Sequence, residues 1–234
     1  MSIIDGGNAY STFNDAPNTG SYGDSTRTVL EVQQSVKRSF GDESGVQLSD
    51  TDIIRWINDA ADEIVKRNRI LKAAATVQSV VGQQDYSFPS QGILQIEALH
   101  YAGVRLPNMA FAQAEEQVIG QADTGEPILW YEWGGKFSFY PVPPTSQIIS
   151  IYYTRAPNRV SLSTDSIPVS DKYYNDVVRY VLQQAYEMQE DPQMSQIKGQ
   201  QFDASLAAMG EEEREAQNMT YPSVTILDFE QWRT

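Results

Sequence analysis

The chain has 234 residues, with 17 Lys+Arg against 31 Asp+Glu, a formal net charge of −14, no Cys and a single His. This composition excludes a thiol nucleophile, an iron–sulfur cluster, a thiolate zinc site, a disulfide scaffold and a two-His zinc site. It also argues against tight wrapping of nucleic acid, which needs clustered cations to displace counterions.

The length suits one large domain or two small ones, burying roughly 70 % of the unfolded surface without a staple. No run nears the ~18 apolar residues of a membrane span. The opening MSIIDGGNAY lacks the basic region and apolar core of a secretory signal, so cytoplasmic synthesis and no membrane partner are expected. Residues 1–24 are rich in Gly, Asn and Ser, with three acids and no base, and read as an N-terminal arm.

In RTVLEVQQSVKRSF (27–40), Val29, Val32, Val36 and Phe40 recur at helical spacing with Leu30 beside them, and Gly41 is a stop signal. Ser49 with Asp52 three residues on resembles a capping box. It opens a helix of roughly 20 residues whose stripe is Ile53, Ile54, Ile57, Ala60, Ala61, Ile64 and Val65. Asp62/Lys66 and Glu63/Arg67 are i,i+4 pairs on its outer face.

From Ala73 the period changes to two. Strands are expected at TVQSVV, at Tyr86–Phe88, at Ile93–Tyr101, around Val104–Leu106, at Ile128–Trp133, at Lys136–Tyr140 and at Ile148–Thr154, with a short helix at Phe111–Ile119. Trp133-Gly134-Gly135-Lys136 is a two-residue hairpin signal. Alternation puts Trp130 and Glu132 on one face and Tyr131 and Trp133 on the other. One face can be core; the other exposes large aromatics unless it is covered.

Helical spacing returns at Tyr173, Tyr174, Val177, Val178, Val181, Leu182 and Ala185, with Ser170 as the expected N-cap. Asp191-Pro192 opens a last helix bearing Met194, Ile197, Phe202, Leu206 and Met209, which Gly210 ends or weakens before Glu211–Glu213. The fold class expected is therefore α+β: an antiparallel helical bundle made of N- and C-terminal helix pairs (25–72 and 169–215), an inserted antiparallel β-rich domain (73–168) of about six strands, and a tail (216–234).

A search for chemistry yields little. Phosphate-binding Gly loops, HExxH, EF-hand and GxSxG motifs are absent, so no catalytic residue, cofactor or metal is assigned. Glu115-Glu116 and Asp59/Asp62/Glu63 are the carboxylate groupings near ordered structure, read chiefly as solvated helix faces. His100 reads as a structural histidine, and Glu211–Glu213 as a solvated helix end. Asn218-Met219-Thr220 matches a glycosylation acceptor by chance. The tail carries Tyr221, a strand-like run Val224-Thr225-Ile226-Leu227 able to add to an exposed sheet edge, and the anchors Phe229 and Trp232. It reads as a docking segment, or as a segment folded back on the chain's own helices.

The runs LSDTDIIRWINDAADEIVKRNRIL, YSFP, WYEWGGKFSFYPVPP and IYYTRAPNRVSLSTDSIPVSDKYYNDVVRYVLQQAYEMQEDPQ together resemble tailed-bacteriophage head-to-tail adaptor (connector) proteins over residues 27–215. The resemblance implies a homo-oligomeric ring, of about twelve copies, in the virion neck. It implies the portal protein and a tail or nozzle protein as partners, and DNA passing through the lumen without specific binding. It also implies a C-terminal segment reaching the portal or a neighbouring subunit, here Tyr221, Val224, Ile226, Leu227, Phe229 and Trp232. A carbohydrate- or receptor-binding tail module, resting on exposed aromatics, and a glycan-cleaving enzyme, resting on carboxylate pairs, are the alternatives.

Overall fold

A computed structural model describes residues 25–88, 92–121 and 123–218. In chain order the elements are α1 (Val29–Phe40), α2 (Asp50–Asn68), β1 (Lys72–Gln78), β2 (Asp85–Ser87), β3 (Ile93–Tyr101), β4 (Val104–Leu106) and α3 (Phe111–Gln117). Then follow β5 (Leu129–Trp133), β6 (Lys136–Tyr140), β7 (Ile148–Arg155), α4 (Tyr174–Met188) and α5 (Pro192–Asn218). The class is α+β. The described chain divides into a β unit, residues 71–156, and a helical unit, residues 25–70 with 157–218.

The β unit holds two antiparallel sheets, in the orders β1-β7-β3-β4 and β2-β6-β5. Seven described strands overlap the expected runs, one more than the total expected, because Asp85–Ser87 and Val104–Leu106 both form ladders, but β1 begins at Lys72 and leaves out Ser79, Val80 and Val81 of TVQSVV. The hairpin at Gly134-Gly135 pairs Trp133 with Lys136, and both glycines take positive φ (60° and 76°), as a tight twisted turn demands. A second two-residue turn, Ala102-Gly103, joins β3 to β4.

One core, containing Ala75, Val77, Tyr86, Leu99, Tyr101, Trp130, Phe137, Phe139, Ile149 and Ile151, draws on both sheets. The register explains who joins it. Trp130 opposes Phe139 and shares its face, whereas Tyr131 opposes Ser138 and points the other way. That second face is closed by α3, whose Ala114, with Val118 just beyond its end, packs on Tyr131. The short helix between strands is thus a lid over an aromatic face.

In the helical unit the caps follow the sequence. Thr28 accepts from the Glu31 N–H, Ser49 from the Asp52 N–H, and Asp191 from the Met194 N–H at 3.0 Å, while the Gly41 N–H closes α1 on the Lys37 and Arg38 carbonyls. The buried faces are Val29, Val32 and Val36 on α1, Ile53, Ile57, Ala60, Ala61, Ile64 and Val65 on α2, and Val177, Val181, Leu182 and Ala185 on α4. Helix α4 packs against α1, α2 and α5, and α2 against α1 and α5.

Three local expectations are corrected. Ser170 does not cap α4 with its side chain: a 3-10 turn, Asp171–Tyr173, is interposed and held by the Tyr173 N–H on the Ser170 carbonyl. Gly210 does not end α5, which continues to Asn218. A glycine costs a helix interior about 1 kcal/mol, but Gly210 is buried and a Cβ there would lie 3.0 Å from Asn68 Oδ1. The missing side chain lets α5 approach the end of α2, where Asn68 Nδ2 donates to the Leu206 carbonyl at 3.2 Å. Ile197 is 38 % exposed, so the stripe of α5 narrows to Phe202 and Leu206.

Residues 157–169 pack with the helices. The Asn58 side chain takes both backbone groups of Val160, donating to its carbonyl at 3.0 Å and accepting from its N–H at 2.9 Å. The Val29 N–H bonds the Asp165 carbonyl, and the Ile167 N–H bonds the Arg27 carbonyl.

Asp171 ties the start of the described chain to this layer. Its carboxylate accepts from the Ser25 hydroxyl, from the Thr26 hydroxyl at 2.6 Å, and from the Thr26 and Arg27 N–H groups at 3.1 and 3.2 Å. Those donors, the Ser25 hydroxyl first, lower its pKa to about 2. A depressed carboxylate contributes stability above its unfolded pKa and loses it as pH falls through the folded one. Asp171→Asn should therefore lower the melting temperature at neutral pH, and the gap to the wild type should close between about pH 4 and pH 2. Melting curves across that range check it; a gap constant with pH would contradict the assignment.

Candidate interaction surfaces

Of the residues expected to bind partners, Tyr221, Val224, Ile226, Leu227, Phe229 and Trp232 all lie outside the described residues. The described residues run to Asn218, within α5.

The outer faces of the helices are laced with ion pairs. Arg67 meets Glu63 and Asp203, each at 2.6 Å, Arg159 meets Asp62 at 2.7 Å, and Lys37 meets Asp50 at 2.6 Å. Asp62 is thus engaged by the 157–169 segment, a partner three- and four-residue spacing cannot reveal. Such exposed pairs contribute about 0–1 kcal/mol each and leave a hydrated, mixed-charge face. Lys172 pairs with Glu213, which accounts for one member of the acidic triplet on α5.

The carboxylates weighed for catalysis are dispersed. Glu115 and Glu116 are adjacent and exposed on α3, where neighbouring positions point about 100° apart. Asp59 is exposed, and Asp62 and Glu63 are held in ion pairs. His100 is half-buried on β3 with its ring 5.1 Å from that of Tyr152. Among the described residues no group of three or more His, Asp or Glu could hold a metal ion. No described helix is long and apolar enough to cross a membrane.

Two features of the β unit stand out. At the Gly134-Gly135 hairpin, Trp133 is 65 % exposed and stacks on Phe111 of α3, with ring centroids 4.0 Å apart and planes 17° from parallel. Of the aromatics in WYEW, Trp130 and Tyr131 are buried, so the exposed share falls to Trp133 alone. The second feature is a groove of about 660 Å³ where β3 and β4 of one sheet face β5 of the other, its lining mixing apolar groups, Leu94, Leu106 and Trp130 among them, with polar ones such as Arg105, Asn108 and Glu132. Sequence alternation anticipates an exposed aromatic on the face of Trp133 but misses its stack on Phe111 and misses the groove. The cue for the first is Phe111 at the start of a helix too short to form a core of its own. For the second it is the mismatch between a nine-residue β3 and a three-residue β4.

The described chain is thus a mixed helix and antiparallel-sheet fold with exposed apolar side chains on its β unit. The chain belongs to the SU10 adaptor protein family, whose model matches residues 27–225. No curated protein matches it. Solved structures that match include a chain from "Neck of empty GTA particle computed with C6 symmetry", at 14 % identity, covering 77 % of this chain and 86 % of that one with a TM-score of 0.25. A likeness of that size carries no weight here.

Proposed function

We propose that this protein is the head-to-tail adaptor of a tailed bacteriophage. About twelve copies close into a ring beneath the portal vertex, join capsid to tail in the neck, and line the channel through which DNA leaves. One observation carries the reading: the adaptor family model runs through both units and into the tail, residues 27–225. In this reading the N- and C-terminal helix pairs form an antiparallel bundle that is the body of the ring, the β unit is its insertion, and residues 216–234 dock on the portal or a neighbouring subunit. A net charge of −14 suits a lumen that repels DNA and does not trap it. A ring needs a head-to-tail interface, in which two different patches of the same chain meet. Omitting the protein from an assembly reaction should leave filled heads and free tails unjoined, and restoring it should join them. Heads and tails that join at the wild-type rate without it would contradict the proposal.

The Trp133–Phe111 stack favours a second reading, a saccharide platform on a receptor-binding module. Saccharide-dependent quenching of Trp133 fluorescence, lost in Trp133→Ala, is the result that reading requires.

A further inference from the structure

The three-residue strand β4 pairs only with Leu99–Tyr101 of β3, so no described strand lies along the outer edge of β3 from Ile93 to Ile96. That edge opens into the groove between the two sheets. Register shifts in the β3–β7 ladder fall between Ile93 and Gln95 and between Ile96 and Ala98, so β3 is bulged there, with Leu94 51 % exposed. Bulges commonly protect an edge, and protected edges usually carry charge. Here the open stretch presents Leu94, Gln95 and Ile96, and the facing walls mix Leu106, Pro107 and Trp130 with the polar Arg105, Asn108 and Glu132. Beyond it, the Glu97 carbonyl is taken by the Arg105 guanidinium at 3.4 Å, so the open length is about four residues, or about 13 Å at strand rise.

We infer that this groove receives residues 224–227 of a neighbouring copy, which add to the edge of β3 as a strand. Three observations fit the occupant to the slot. Val224-Thr225-Ile226-Leu227 carries apolar side chains suited to Leu94, Ile96, Leu106, Pro107 and Trp130 and one hydroxyl suited to the polar groups between them, and its β-branched residues favour extended backbone. Its four residues equal the open edge in length. The sixteen residues beyond the end of α5 supply a tether with the run near its middle. Main-chain hydrogen bonds to the edge then provide affinity, and the apolar part of the walls selects side chains. The inference rests on the adaptor reading and deepens it, since it names both halves of a head-to-tail contact.

The chain has no cysteine, so single cysteines report cleanly. Full-length Leu94→Cys and full-length Ile226→Cys are mixed, assembled on portal-bearing heads and oxidised. A covalent dimer band should appear on a non-reducing gel, roughly tenfold stronger than from Thr76→Cys, on edge strand β1, mixed with Ile226→Cys. Assembly on heads without the 94–226 band overturns the inference and leaves the adaptor reading standing. Failure to assemble on heads overturns that reading and the inference with it. A bond found only within single chains of the double variant overturns the neighbouring-copy assignment. As a second variant, full-length Leu94→Asp should melt like the wild type and lose subunit-to-subunit assembly; normal assembly by this variant also overturns the inference.

Discussion

Truncating the chain after Asn218 should abolish its attachment to portal-bearing heads while leaving its melting temperature nearly unchanged. The described helical unit has its caps and its buried stripes in place before the tail begins: α5 contributes Phe202 and Leu206 to buried positions and ends at Asn218. Val224, Ile226, Leu227, Phe229 and Trp232 therefore concentrate apolar surface in the sixteen residues past that point, where docking on a partner is the proposed use. The competing arrangement, in which Ile226, Phe229 and Trp232 fold back onto the chain's own helices, predicts a melting temperature lower by several degrees on truncation, because two aromatic anchors would leave a core. Melting and head binding measured on the same truncated protein separate the two. A truncated protein that joins heads normally would contradict the docking role.

Ile57→Ala should cost roughly 2–5 kcal/mol, against less than about 1 kcal/mol for Glu63→Ala. Ile57 is fully buried on α2, the helix that packs against α1, α4 and α5, so the lost methylenes leave a cavity among elements that relax only in part. Glu63 lies on the outer face with Arg67, its side chain 30 % exposed and its partner's 43 %, where water replaces the lost contact. Denaturant midpoints for the two variants and the wild type check the ratio. Equal losses would contradict the assignment of the stripe.

The helices and strands were legible because their signals are local. Ser49 with Asp52, Asp191 with Pro192, and Gly134-Gly135 each satisfy backbone groups within one turn of chain, so spacing reveals them. What escaped is burial that spacing does not reveal, some of it set by local partners and some by partners distant in sequence. Asp176 repeats on the apolar face of α4 and is fully buried, its Oδ1 held by Arg179 at 2.7 Å. Asp42 is buried because it accepts three N–H groups of its own loop, from Val46, Gln47 and Leu48 at 3.0, 2.9 and 2.8 Å, where polarity alone suggested solvent. Gly210 reads as a stop until the approach of Asn68 is known. The groove beside β3 exists only because two sheets meet, and no window of residues carries that information. The apolar residues of the tail were readable from composition, but the groove proposed to receive them needed the fold.

The central claim is that copies of this chain close into a ring on the portal. The mass of the assembled species, measured by native mass spectrometry with and without portal protein, tests it most directly. The account predicts a monomer or weak oligomer alone, and on the portal a closed multiple near twelve copies. A stable two-fold dimer as the sole species in both conditions would contradict it.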